Sequence, residues 1–60
     1  MNELEALRRR MNEYKEQVTE YLLAGGAKDY VQYAKATAKV EAIEIMLADI
    51  TEIEQRYIED

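Results

Sequence analysis

Apolar residues in the first third of the chain fall at Leu4, Leu7, Met11, Tyr14, Val18 and Tyr21, separated by alternating gaps of three and four. Such alternation keeps side chains on one face of a helix, so the spacing predicts a helix with a narrow a/d stripe over nearly three heptads, widened at its end by Leu22. Glu5, Arg8, Arg9, Arg10, Asn12, Glu13, Lys15, Glu16, Gln17 and Glu20 lie between these positions and are expected to make a solvated face. Asn2 is placed to cap this helix, with Glu3 and Glu5 in the first turn, where carboxylates complement the positive end of the helix dipole. Gly25 and Gly26 should end it, because glycine adopts the left-handed conformation that closes a helix without a Cβ penalty. Helix 1 is therefore expected over about residues 3–24.

Asp29, with Gln32 three residues later, forms a capping-box variant that should start a second helix near Tyr30. No breaker follows, so helix 2 should run over about residues 30–58. The expected fold is all-α, an antiparallel two-helix hairpin forming a single domain over residues 1–60. Tyr33, Ala36, Val40, Ile43, Leu47, Ile50, Glu54 and Tyr57 are the a/d positions of helix 2 and should meet the helix 1 stripe in reverse order, Tyr21 near Tyr33 and Ala36 and Leu4 near Ile50. At ~1.5 Å per residue helix 2 is roughly 43 Å long against roughly 33 Å for helix 1. With the helices in register at the turn, the segment from about Ile53 onward should project beyond the start of helix 1. Glu54 is then either solvated in that overhang or paired with an arginine of another chain.

Helix 2 carries more apolar surface than one narrow partner can cover. Ile45, Met46, Ile53 and Ile58 fall outside its a/d line, and Met46, Ile50, Ile53 and Tyr57 make a second stripe at helical spacing. Exposing large apolar side chains forgoes ~1.5–3 kcal/mol each, which is a large share of the stability of a small domain. Ile45, Met46, Ile50, Ile53, Tyr57 and Ile58, joined by Tyr30 at the turn end, are accordingly the expected partner-binding residues. Tyrosine suits such positions because it combines area with a polar tip.

Composition makes a partner more necessary. A chain of 60 residues buries only about 60% of the surface its unfolded form exposes. Small scaffolds find the missing stability in disulfides, metals or association, and this sequence has no Cys and no His. Homo-oligomerisation into a helical bundle, or docking on a larger protein, is what remains. The net charge of −5 is uneven: residues 1–40 hold seven bases against six acids, and residues 41–60 hold one base against seven acids. An acidic chain is repelled by phosphate backbones and anionic lipid, so nucleic-acid and membrane partners are not expected. No apolar h-region or ~20-residue apolar run is present, which implies a soluble protein without signal peptide or membrane span.

Candidate chemistry changes this picture little. Arg8-Arg9-Arg10 is a basic run, but three consecutive residues point around much of a helix, and nearby Glu44, Asp49 and Glu52 can balance them. Glu13, Glu16 and Glu20 share a side of helix 1, yet helical di-metal sites pair such residues with histidine, and none is available. With no Cys, His or Ser, and Thr37 and Thr51 lacking an adjacent base, nucleophilic catalysis has no support. No catalytic residue, metal ligand or cofactor is expected, and the chain reads as non-enzymatic.

The run Leu22-Leu23-Ala24-Gly25-Gly26-Ala27-Lys28-Asp29-Tyr30, followed by the acidic ending Ile53-Glu54-Gln55-Arg56-Tyr57-Ile58-Glu59-Asp60, resembles small helical-hairpin proteins of tailed bacteriophages. That resemblance implies a virion assembly component at the head or portal-tail region, docking in multiple copies, or an acidic inhibitor or adaptor that blocks a host protein. The corresponding locations are the virion and the host cytoplasm. The architecture is also similar to the Rop-type hairpin, without a shared motif and without the charge of an RNA binder.

Overall fold

Two caps set where the helices begin. Asn2, in extended conformation, accepts a hydrogen bond at Oδ1 from the Glu5 N–H at 2.8 Å, and α1 follows as Glu3–Leu23. Asp29 plays the same part for α2, Tyr30–Glu59, accepting at Oδ1 from the Gln32 N–H at 2.9 Å. Gln32 returns its side chain one residue further back than a standard capping box, accepting at Oε1 from the Lys28 N–H at 2.8 Å. Each side-chain oxygen satisfies a backbone donor that has no partner within the helix. The computed structural model describes residues 2–59, with side chains described for residues 2–57.

The end of α1 is a Schellman motif. The Gly25 N–H donates to the Leu22 carbonyl at 3.1 Å and the Gly26 N–H to the Tyr21 carbonyl at 2.8 Å. Gly25 has φ +76°, the left-handed value that this motif requires of the residue after the cap. Gly26 is needed for a different reason. A Cβ there would collide with the Tyr21 ring and lie 2.8 Å from its carbonyl oxygen. The turn and the tyrosine ring are thus packed against each other.

The helices pack side by side as an antiparallel hairpin, in a molecule whose Cα atoms span 48 × 18 × 12 Å. Direction follows from the side-chain pairs, since Arg8 meets Thr51 and Glu54 whereas Lys15 meets Glu44. Ala36, Ile43 and Ile50, successive heptad positions of α2, are the buried hydrophobic residues among those described. No residue of α1 is fully buried, and Leu4, Met11, Val18 and Leu22 reach only intermediate burial against that line. The core is a single row.

Three expectations need correction. Leu7, Tyr14 and Tyr21 do not lie in the centre of the seam, where Arg8 and Lys15 take the corresponding places with intermediate burial. Long aliphatic stems allow this, because they cover apolar surface while the charged heads reach the rim. Glu54 is neither solvated nor reserved for another chain, since it pairs with Arg8 of its own. The helices are also out of register at the turn. Lys15 lies about two turns from the end of α1, but its partner Glu44 lies about four turns into α2. The segment 24–29 carries the chain past Leu23 before α2 begins, which leaves Tyr30 and Val31 exposed and shortens the overhang at the other end. Ile53, Glu54 and Tyr57 still share a recess with Asn2, Glu3, Leu4 and Glu5.

Candidate docking face

The two edges of the helix seam are chemically different. Along one edge Arg8 donates to Glu54 and, at 3.1 Å, to the Thr51 hydroxyl, and Lys15 lies 3.4 Å from Glu44. Hydrogen bonding to Glu54, partly opposed by desolvation and aided by the charges of Glu54 and Glu5, raises the Arg8 pKa above its ordinary value. Arg8 therefore remains a cation throughout any working pH range, and that edge is closed by charge.

The other edge is open and apolar. Leu7, Tyr14 and Tyr21 of α1 and Met46 and Ile53 of α2 are between 41% and 45% exposed, each half-turned out of the seam. On α2 the same edge continues through Lys35, Lys39, Ala42, Met46, Asp49 and Ile53, at alternating spacings of four and three. A groove lined by Met11, Tyr14, Gln17, Val18, Lys39, Ala42, Ile43 and Met46 runs into a second, lined by Gln17, Val18, Tyr21, Gln32, Lys35, Ala36 and Lys39. Both helices contribute to this surface. The apolar excess is thus not confined to α2, because Leu7, Tyr14 and Tyr21, expected in the hairpin's own core, supply the α1 half.

The seven expected partner-binding residues are not brought together as one face. Met46 and Ile53 lie on the open edge, and Tyr57, 75% exposed, lines the recess at its end. Ile50 is a correction: it is buried in the seam and has no surface to offer a partner. Ile45, 64% exposed, sits a residue before Met46 and hence about 100° around the helix, away from the groove. Tyr30 belongs to a separate exposed group at the turn end, with Leu23, Val31 and Tyr33. Ile58 is in α2, but its side chain lies outside the described residues.

Tyr21 ties the groove to the turn. Its ring packs on Gly26, and its hydroxyl lies 3.5 Å from Gln32 Oε1, the atom that also accepts from the Lys28 N–H. Of the arginine run, Arg8 is internal, while Arg9 and Arg10 are exposed and form no ion pair among the described residues. Glu52 pairs instead with Arg56 at 2.7 Å, one turn along α2. No group of three or more His, Cys, Asp or Glu among the described residues is arranged to hold a metal ion, and no helix is long and apolar enough to cross a membrane. The chain matches no protein-family profile, no curated protein and no solved structure.

Proposed function

We propose that this chain is a non-enzymatic helical interaction module that works in multiple copies, docked through the open edge of its seam. One observation carries the reading: Leu7, Tyr14, Tyr21, Met46 and Ile53 stand half-exposed along one edge of the seam, with a groove running past Tyr14, Tyr21 and Met46, while the opposite edge is closed by ion pairs. Contiguous apolar surface of this kind marks an interaction site, and so thin a core gains stability when it is covered. The resemblance to phage hairpin proteins supplies the setting, a small assembly component of the virion.

Solution mass of the full chain by sedimentation tests the reading. The wild type should be associated, Met46→Glu and Ile53→Glu should dissociate it, and Ile45→Glu, outside the groove, should leave it assembled. A folded wild-type monomer that shows no concentration dependence overturns the proposal.

A second reading rests on Glu41, Glu44, Asp49 and Glu52, all exposed on the C-terminal half of the hairpin. They would serve an inhibitor or adaptor that occupies a basic surface of a host protein. Ionic strength separates the two. Apolar docking survives high salt, whereas a charge decoy weakens steeply.

A further inference from the structure

Resting on that docking face, we infer that its occupant is a second copy of this chain, laid antiparallel on the first with the turn of each over the open end of the other. The hairpins then close into a four-helix bundle about a two-fold axis.

The α2 edge is complementary to itself when reversed. Its midpoint lies between Ala42 and Met46, and the positions on either side are opposite in size or charge: Ala42 against Met46, Lys39 against Asp49. A two-fold axis through that midpoint sets the small Ala42 against Met46 of the second copy and Lys39 against Asp49 of the second copy. It also lays the stem of Lys35 over Ile53 of the second copy. The α1 edge has the same property about Tyr14, which is flanked one heptad away by Leu7 and Tyr21. Reversal sets Tyr14 on Tyr14 and Leu7 on Tyr21 of the second copy.

These two midpoints are level along the hairpin. Lys15 lies 3.4 Å from Glu44, and Tyr14 lines the same groove as Ala42 and Met46. One axis therefore serves both helices. The charges are also available for the purpose. The ion pairs among the described residues are Arg8 with Glu54, Lys15 with Glu44 and Arg56 with Glu52, so neither Lys39 nor Asp49 is paired among them. The opposite arrangement, with both turns at one end, stacks α1 on α2. It brings Asp49 near Arg10 and sets Lys39 level with Glu20, which lies a residue before Tyr21 and hence about 100° around α1 from the groove edge, so that edge itself offers Lys39 no acid.

Charge reversal on the full chain tests the pairing by sedimentation equilibrium. Lys39→Asp and Asp49→Lys should each weaken association about tenfold, which corresponds to ~1.4 kcal/mol, because each sets like charges face to face twice per dimer. The double variant, and an equimolar mixture of the two single variants, should recover wild-type association to within about threefold. Failure of the double variant to improve on either parent overturns the antiparallel pairing, and loss in Asp49→Lys alone points to the arrangement with both turns together. A second measurement does not depend on charge. The chain has no cysteine, so Tyr14→Cys should oxidise to a covalent dimer through its single thiol, and absence of that species overturns the position of the axis. Should the wild type be monomeric, the docking reading itself fails. Should it associate without charge rescue, only the pairing fails.

Discussion

Arg8 shows how one side chain decides which edge of a hairpin is closed. It occupies a seam position with its stem, and its guanidinium reaches both Thr51 and Glu54 across the helices. Replacing it by Met keeps the stem but leaves Glu54 half-buried without its cation, so Arg8→Met should lower the urea midpoint of unfolding. The double variant Arg8→Met, Glu54→Leu should recover that loss or exceed it, because well-packed apolar pairs commonly match or surpass the ion pairs they replace. A raised arginine pKa stabilises the fold below the unfolded value and loses that contribution only as pH climbs through the folded one. Stability titrated between pH 6 and pH 9 should therefore show no step from Arg8. This residue was hard to place from sequence. Leu7 and Arg8 are neighbours on the helix, and hydrophobicity alone favours the leucine for the seam, but the long stem of the arginine fits there while its head finds Glu54.

At the scale of elements, ends were legible and phase was not. Caps are local: Asn2, Gly25, Gly26 and Asp29 each act within a few residues, so sequence reading locates them directly. The rotation of α1 about its axis depends on which flank meets α2, and Leu7, Tyr14 and Tyr21 offer an apolar flank nearly as good as the buried one. Two substitutions separate the roles of the turn glycines in thermal unfolding followed by circular dichroism. Gly25→Ala forces a Cβ into the left-handed region and should cost ~1 kcal/mol. Gly26→Ala should cost more, because its Cβ meets the Tyr21 carbonyl oxygen at 2.8 Å and backbone must move. Asp29→Ala removes the acceptor for the Gln32 N–H and should cost ~1 kcal/mol. Ile43→Ala empties part of the single buried row. A loss of ~2–5 kcal/mol there should be enough to unfold the isolated hairpin at room temperature.

For the whole molecule, net charge and apolar surface act in opposite senses. Each chain carries −5, so two chains repel at long range, and the proposed pairing must gain its attraction from apolar contact. Added salt screens the first and spares the second. Association measured by light scattering should therefore hold or strengthen between 50 mM and 500 mM NaCl, and the unfolding temperature should rise with protein concentration. A flat response to concentration would mean that folding and association are not linked. The packing of Tyr21 on Gly26 gives this linkage a definite route. One face of that ring braces the turn, and the residue also forms the end of the docking groove. Under the proposed docking, an occupant that holds Tyr21 should steady the loop, and by thermodynamic reciprocity a loosened loop should lower the affinity of the groove. Protection of the Gly26 amide from hydrogen exchange, some distance from the centre of the groove, is thus a gauge of whether the far helices are occupied.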